Sequence, residues 1–241
     1  MKSVVIIQAR MGSTRLPGKV LKTLIDKTVL AHVIERTQAF QNVQEIVVAT
    51  TRGSQDDPIV EEAKRLGVMV SRGSESDVLS RYYEAALQLQ ADHVIRITSD
   101  CPLIEPEVSS LVIREYLEDG KYDYISNTLE RTYPRGLDTE VFSFASIETA
   151  HRETSSTHDR EHVTPYIYNN PERFRCRSIV SREDIPEYRW TLDTPEDWEL
   201  IRRIYEALYQ PGRLFSWKEA AAVMQANPSW LSINSHIEQK K

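Results

Sequence analysis

Three basic residues lie close together near the start of the chain, directly after an apolar run. In the stretch VVIIQARMGSTRLPGKVL these residues are Arg10, Arg15 and Lys19, and Gly12 and Gly18 lie between them. Glycines let a ligand approach the backbone closely, and guanidinium and ammonium groups neutralise phosphate charge. The spacing therefore predicts a phosphate-binding loop. The alternative is a solvated loop whose cations pair with surface acids.

Two common phosphate-binding patterns do not match this stretch. The dinucleotide pattern GxGxxG is missing, which disfavours a dehydrogenase. The Walker A spacing also fails, because five residues rather than four separate Gly12 from Gly18. Val20 stands where Ser or Thr would bind magnesium. A serine hydrolase is disfavoured because the sequence has no nucleophile elbow.

The overall charge suits a small anionic ligand better than a polymer. The 241 residues include 30 basic and 36 acidic side chains, a net charge of -6. Nucleic-acid binding needs basic residues over a wide face, which this balance disfavours. Cys101 and Cys176 lack the spacing of a zinc site or a disulfide framework. Because we find neither a membrane-spanning run nor a signal peptide, we expect a cytoplasmic protein with no membrane partner.

The elements that would position these residues alternate along the first half of the chain. Continuous apolar runs are typical of strands buried on both faces, whereas apolar residues three and four apart are typical of helices. Strands are predicted at 4–7, 45–50, 68–70, 93–98 and 122–126, and helices at 28–40, 56–67, 74–90 and 106–118. This alternation predicts a parallel or mixed sheet with helices on both faces.

Beyond residue 130 the pattern is less regular. The sequence predicts a loop leading into a strand over 131–144, helices at 143–154, 158–169 and 195–209, and strands at 174–180 and 188–193. We interpret residues 1–241 as one domain, with 130–187 as an elaboration on it. Aromatic and apolar residues in that segment, such as Tyr133 and Phe142, lead us to expect a symmetric dimer.

The opening motif QARMGSTRLPGKVL resembles the signature of sugar-acid cytidylyltransferases, the CMP-sugar synthetases of the 3-deoxy-manno-octulosonate type. The similarity extends over most of the chain, in VVATTRGSQDDPI, VSRGSESDVLSRY, RITSDCPLIEP, PRGLDTEVF, REHVTPYIY and TLDTPEDWELI. Within that group the sequence resembles the spore coat polysaccharide biosynthesis protein F branch. The resemblance implies a three-layer α/β/α, Rossmann-like nucleotidyltransferase fold of the glycosyltransferase-A-like kind, with a small insertion that makes a homodimer.

The implied reaction is nucleotidyl transfer. A hydroxyl of a small acidic sugar attacks the α-phosphate of CTP, pyrophosphate leaves, and Mg2+ spreads the developing charge. Two alternatives stay open on the sequence. The partners could instead be another nucleoside triphosphate or a sugar or polyol phosphate, or the chain could be a nucleotide-binding protein without catalysis.

The resemblance assigns catalytic and phosphate-binding roles within the opening loop. Arg10 and Lys19 match the family's phosphate contacts, and Arg15 is a third. Lys19 is expected to stabilise the charge that builds on the α-phosphate. Main-chain groups of Ala9, Gly12 and Ser13 would complete the cradle.

Further nucleotide contacts are expected at the ends of other strands. Arg72 resembles the arginine that recognises the cytosine edge, and its alternative role is that of a surface arginine. Ser76 and Asp77 stand at a predicted helix start, where they would cap the helix, contact the nucleotide, or both. Thr50 ends a predicted strand and would line the pocket.

Magnesium prefers hard oxygen ligands, and two aspartates match the family's metal-binding positions. Asp100 follows the predicted strand HVIRIT, and Asp193 ends YRWTLD. Both would lie at the carboxyl edge of the sheet, where α/β proteins bind ligands. The alternative for each is a helix cap. Cys101 stands where the family often has an acid, and we interpret it as a packing residue.

The sugar side is assigned to two polar clusters of the 130–187 segment. An arginine pair on the sugar carboxylate is the expected form of recognition. The residues concerned are Arg135, Asp138, Glu140, Arg160, Glu161 and His162. For His162 the alternative is a structural histidine on a helix.

Overall fold

The computed structural model describes residues 1–183 and 187–238. Within them the strands are β1 (Ser3–Gln8), β2 (Thr23–Leu24), β3 (Lys27–Thr28), β4 (Glu45–Thr51), β5 (Met69–Gly73), β6 (His93–Thr98), β7 (Tyr124–Ser126), β8 (Glu140–Ser143) and β9 (Cys176–Ser178). Seven of them form one sheet in the order β5-β4-β1-β6-β8-β7-β9, and β2 and β3 form a separate hairpin.

The sheet is mixed and mainly parallel. β5, β4, β1 and β6 run parallel, whereas β8 is antiparallel to both β6 and β7. Gln8 of β1 lies opposite Thr98 of β6 and opposite Ala49 of β4. The carboxyl ends of these three strands therefore meet at one edge, and the predicted mixed sheet is confirmed.

Helices connect the strands and cover both faces of the sheet. In the described part of the chain they are α1 (Val29–Gln38), α2 (Asp57–Arg65), α3 (Val78–Gln88), α4 (Pro106–Asp119), α5 (Phe144–Glu153), α6 (Thr157–His162), α7 (Pro165–Tyr168), α8 (Pro195–Leu208), α9 (Trp217–Ala226) and α10 (Leu231–Asn234). Short 3₁₀ turns occur at Lys19–Leu21, Ser54–Asp56 and Pro228–Trp230.

The two faces of β1 bury different apolar clusters because side chains alternate along a strand. Val5 and Ile7 pack with residues of α1, α2 and α4. Val4 and Ile6 pack with residues of α3 and α5. This arrangement confirms the three-layer α/β/α fold. A third cluster joins α8 and α9 around the fully buried Trp190.

The strand predicted at 188–193 is wrong. Arg189 forms only an isolated parallel bridge with Arg135. Tyr188, Trp190 and Leu192 are buried in the third apolar cluster, which explains their strand-like apolar pattern. The segment brings Asp193 to the sheet edge, where its carboxylate contacts Lys19.

The single helix predicted at 158–169 is also wrong, because the chain forms α6 and α7 with a break between them. Pro165 begins α7 and cannot donate a hydrogen bond to a preceding helical turn. Val163 has a positive φ of 76°, which ends α6.

The 130–187 segment contributes β8 and β9 to the main sheet. Its residues 184–186 lie outside the described part of the chain. Its role in dimerisation, and the interpretation of 1–241 as one domain, stay predictions.

We expect the Gly136→Ala substitution to destabilise the fold by about 3 kcal/mol, through overpacking and backbone strain. Gly136 has φ of +101°, and an added Cβ would lie 2.6 Å from the Trp190 carbonyl oxygen. Gly212→Ala is a matched control, since Gly212 has φ of +77° but nothing within 4 Å of its added Cβ. Urea unfolding of both variants measures the difference. Equal losses of stability would contradict the steric argument.

Candidate functional site

The loop after β1 turns Lys19 toward the carboxyl edge of the sheet. Gly18 adopts a left-handed conformation, φ 65°, immediately before the 3₁₀ turn that contains Lys19. Upstream, the Met11 amide donates a hydrogen bond of 2.7 Å to Asp56 Oδ1, which fixes the start of the loop. The sequence did not indicate this role for Asp56, whose partner is distant along the chain.

The Lys19 ammonium group is the centre of the site. Its Nζ atom lies 2.8 Å from Asp100 Oδ2, 2.9 Å from Asp193 Oδ1 and 2.7 Å from the carbonyl oxygen of Leu192. An ammonium group has three protons, so each has an acceptor here. The two predicted metal ligands and the predicted catalytic lysine therefore come together, as the sequence analysis expected.

Neither aspartate is a helix cap, so that alternative is wrong. Thr194 caps α8 in a reciprocal arrangement with Asp197, which leaves the Asp193 carboxylate available to the site. Glu105 caps α4, five residues after Asp100. The Leu192 amide donates to the Asp100 carbonyl oxygen at 2.8 Å, which holds the two aspartates side by side.

Two arginines bind the second oxygen of Asp193. Arg15 Nη2 lies 3.1 Å and Arg189 Nη2 2.8 Å from Asp193 Oδ2. Arg189 also contacts the fully buried Asp197 at 3.0 Å. Arg189 was not predicted as a site residue from the sequence. The available indication in the sequence was that two possible ion-pair partners, Asp193 and Asp197, follow Arg189 closely.

Burial and charge act in opposite directions on the pKa values of this cluster. Burial disfavours the Lys19 ammonium, but attraction to Asp100 and Asp193 outweighs it and raises the pKa of Lys19. Burial likewise opposes the Asp100 anion, but the Lys19 charge and hydrogen bond outweigh it and lower the pKa of Asp100. Both groups are therefore charged at neutral pH.

Cys101 does not show the features of a nucleophile. Its side chain is part of an apolar cluster. Burial and the neighbouring Asp100 charge raise the pKa of the Cys101 thiol well above its ordinary value. The thiol is therefore protonated at neutral pH, which agrees with the packing interpretation.

Two adjoining cavities open at this edge of the sheet. The first, of about 260 Å³, is lined by the opening loop, including Arg10, Gly12, Ser13, Arg15 and Lys19. The second, of about 640 Å³, is lined by residues of the 130–187 segment, including Arg135, Asp138, Glu140, Glu161 and His162. Their shared wall, here called the neck, consists of Arg15, Arg96, Thr98, Asp100, Glu161, His162 and Asp193.

Several predicted nucleotide contacts lie elsewhere. Arg72 donates to the carbonyl oxygens of Thr51 and Gly53 at 2.7 Å and pairs with Asp57, so its guanidinium holds a turn. Neither cavity is lined by Arg72, Thr50, Ser76, Asp77 or Ala9. The contacts predicted for these five residues are not supported by this arrangement.

Some backbone amides of the opening loop already donate hydrogen bonds to carbonyl oxygens of the chain. The Ala9 amide donates to Ala49, and the Ser13 amide donates to Met11. These two amides therefore already have acceptors within the chain, and the phosphate cradle predicted from main-chain groups of Ala9, Gly12 and Ser13 stays a prediction. Asp77 caps α3 through the Ser80 amide, which was one of its two expected roles.

Arg160 is the one predicted sugar residue that does not line the second cavity. Its guanidinium contacts Asp77 Oδ2 at 3.2 Å and donates to the carbonyl oxygens of His151 and Thr154. Arg160 thus joins α6 to the start of α3.

Arg96 is a site residue that the sequence analysis missed. It lies within β6 and its side chain is 17% exposed, at the neck. Its Nη1 atom pairs with Glu140, whose other oxygen accepts from Tyr124 at 2.8 Å and Thr164 at 2.6 Å. Burial opposes the charge, but the Glu140 carboxylate outweighs it and raises the pKa of Arg96. The available indication in the sequence was a charged residue, Arg96, within the mainly apolar strand HVIRIT.

Among the described residues, no helix is both long enough and apolar enough to cross a membrane. The same residues contain no group of three or more His, Cys, Asp or Glu side chains placed to bind a metal by themselves.

Comparison with known proteins identifies related sequences over nearly the whole chain. A family described as Cytidylyltransferase matches residues 4–225. A Methanocaldococcus jannaschii protein of uncharacterised function is 39% identical, over 100% of this chain and 97% of that protein. The spore coat polysaccharide biosynthesis protein SpsF of Bacillus subtilis is 35% identical, over 83% of this chain and 85% of SpsF.

Solved structures show the same fold. A cytidylyltransferase from Leptospira borgpetersenii superposes with a TM-score of 0.91 at 34% identity, covering 100% of this chain and 99% of the other. CMP:2-keto-3-deoxy-manno-octonic acid synthetase complexed with CTP gives a TM-score of 0.68 at 18% identity, over 86% of this chain and 99% of the synthetase. At that identity the second match supports the fold alone.

Proposed function

The chain belongs to the cytidylyltransferase family, and we propose that it transfers CMP from CTP to an acidic keto-deoxy sugar for surface or spore-coat polysaccharide synthesis. The observation that carries this proposal is the cluster of Lys19, Asp100 and Asp193 at the meeting point of two cavities. The first cavity would hold the triphosphate and the second the sugar. We further propose that the protein acts as a cytoplasmic homodimer.

The reaction forms one bond and breaks another at the neck. The sugar hydroxyl loses its proton to solvent or to the departing pyrophosphate, and its oxygen bonds to the α-phosphorus. The bond from that phosphorus to the oxygen it shares with the β-phosphate breaks, which releases pyrophosphate. Lys19 and Arg15 are the cations placed to stabilise the charge on the α-phosphate. Because all three Lys19 protons already have acceptors, a phosphate oxygen would have to replace one of those acceptors.

The carboxylate oxygens of Asp100 and Asp193 are suitable ligands for magnesium, which is the proposed cofactor. Asp100 and Asp193 present one carboxylate oxygen each to the same point, now held by Lys19. Mg2+ is commonly bound by one or two carboxylates together with substrate phosphates, and the two aspartates meet that requirement. When bound, the ion would neutralise phosphate charge.

The test is pyrophosphate release by the full-length protein. CTP, UTP, GTP and ATP are each incubated with 3-deoxy-manno-octulosonate, with neutral hexoses and with sugar phosphates, in Mg2+ or in EDTA. We expect release only with CTP, the acidic sugar and Mg2+. Release with another nucleotide and a sugar phosphate would contradict the proposal. Nucleotide binding without turnover on any acceptor would favour a non-catalytic protein.

A further inference from the structure

Arg96 occupies the neck with part of its hydrogen-bonding capacity unused. A guanidinium group carries five N–H donors in a planar fork. Its Nη1 atom pairs with Glu140, but Nε is buried without a hydrogen-bond partner among the described residues. A buried donor left unsatisfied is costly, and Arg96 lines both cavities, so its guanidinium has unused capacity for a negatively charged acceptor at the neck.

The rest of the structure holds Arg96 in this orientation through Glu140. The Glu140 carboxylate accepts hydrogen bonds from Tyr124 and Thr164, both of which are buried. These bonds fix the carboxylate, which in turn fixes the Arg96 side chain. Glu140, predicted from the sequence as a sugar contact, is therefore better described as a positioning residue.

A strained turn places Thr164 beside Glu140. Val163 has φ 76° and ψ −56°, and the Thr164 amide donates to the His162 carbonyl oxygen at 2.9 Å. This is a γ-turn with positive φ, a rare conformation that is unfavourable for a β-branched residue. Strain of this kind persists where the surrounding structure requires it, often at functional sites. Here the strained turn places the Thr164 hydroxyl where it can donate to Glu140, and so helps to hold the Glu140–Arg96 pair.

The covalent structure of the proposed sugar substrate indicates which of its groups would bind Arg96. In the ring form of a 2-keto sugar acid, the carboxylate and the hydroxyl that attacks CTP are bonded to the same carbon atom. Both must therefore lie at the neck, close to the α-phosphate. Arg135 lines the second cavity but not the first, and Arg131 is paired there with Asp138 at 2.7 Å. Arg15 also lies at the neck, but under the proposed function it contacts the α-phosphate.

We propose that Arg96 binds the sugar carboxylate, so that it selects acids whose carboxylate and reacting hydroxyl share one carbon. This inference rests on the proposed function, since it assumes that an acidic sugar occupies the second cavity. It adds a specificity-determining residue to the site.

Calorimetric titration tests the proposal without requiring turnover. Wild type, Arg96→Lys, Arg96→Gln and Arg135→Gln are titrated with 3-deoxy-manno-octulosonate and with its uncharged methyl ester, each with a saturating non-hydrolysable CTP analogue. For wild type we expect the acid to bind about 100-fold more tightly than the ester, as for a charge-assisted bidentate contact. That preference should fall to about tenfold in Arg96→Lys and vanish in Arg96→Gln.

Arg135→Gln is the matched control, because it removes a guanidinium from the same cavity away from the neck. It should keep most of the preference for the acid. If the preference falls in Arg135→Gln and not in the Arg96 variants, the proposal is overturned. It is also overturned if wild type does not bind the acid. Should Arg96→Gln fail to fold because Glu140 loses its partner, Arg96→Lys, which keeps the ion pair, decides the result.

The outcome also separates this inference from the proposed function. Pyrophosphate release from CTP with an acid preference that does not depend on Arg96 would overturn the inference and leave the proposed function standing. Binding of the acid through Arg96 without pyrophosphate release would overturn the proposed function alone.

Discussion

Replacing Lys19 with methionine should lower kcat for pyrophosphate release by about 10³-fold, as for loss of a group that stabilises charge mainly in the transition state. Methionine keeps an unbranched side chain of similar length but removes the ammonium that contacts Asp100 and Asp193. Arg10 and Arg15 still line the first cavity, so the Kd for CTP should change by about tenfold or less. Steady-state kinetics and calorimetry with CTP measure the two quantities.

Lys22→Met provides the matched control for this result. Lys22 lies three residues further on, and its ammonium packs over the Trp198 ring at 4.9 Å, away from both cavities. The control should keep wild-type kcat. An unchanged kcat in the Lys19 variant, with any loss confined to CTP affinity, would show that Lys19 has no special role in the transition state.

The Asp100→Asn variant should lower kcat by about 10²-fold at a fixed Mg2+ concentration, with a matching rise in the Mg2+ needed for half-maximal rate. Asparagine has almost the same shape and can still accept from Lys19, but it lacks the charge that suits a hard cation. A titration of rate against Mg2+ concentration, compared with wild type, gives both numbers.

Asp138→Asn separates this effect from a general loss of negative charge. Asp138 lines the second cavity and pairs with Arg131, but it does not line the first cavity. Its substitution should alter the KM for the sugar and leave the Mg2+ midpoint unchanged. If the Asp100 and Asp138 variants have the same Mg2+ dependence as wild type, Asp100 is not a metal ligand.

Much of the fold could be predicted from local pattern alone. Apolar runs such as that over residues 4–7 identify strands buried on both faces, and the spacing within residues 28–40 identifies α1. Both signals are contained in short stretches of sequence. The strand predicted at 188–193 failed because its buried side chains contact helices rather than a neighbouring strand, a difference that apolar pattern cannot show.

Site residues were predictable where a side chain of suitable chemistry follows a predicted strand or matches a motif of the family. Asp100 follows β6 closely, whereas Asp193 was placed at the carboxyl edge of the sheet by its match to a metal-binding position of the family, although the strand predicted before it does not form. Arg72 shows the limit of this reasoning. Its position at the end of β5 fits a ligand contact, but nearby carbonyl oxygens and Asp57 occupy its guanidinium.

The place of Arg96 in the site was not predicted because its orientation depends on Glu140, which is 44 residues away in the sequence. Local pattern places an arginine within a strand but does not say that Glu140 and Thr164 lie beside it. The break at Val163 is equally invisible, since valine is among the residues least suited to positive φ. Features that depend on distant contacts or on tolerated strain therefore required the structure.

The Lys19 contacts span 81 residues to Asp100 and 174 to Asp193. During synthesis the amino-terminal strands leave the ribosome long before the last of these acceptors exists. The growing chain therefore contains Lys19 before the residues that complete the nucleotide pocket have been synthesised. Under the proposed function, CTP can act as a folding ligand for this pocket only after the segment that contains Asp193 has been synthesised.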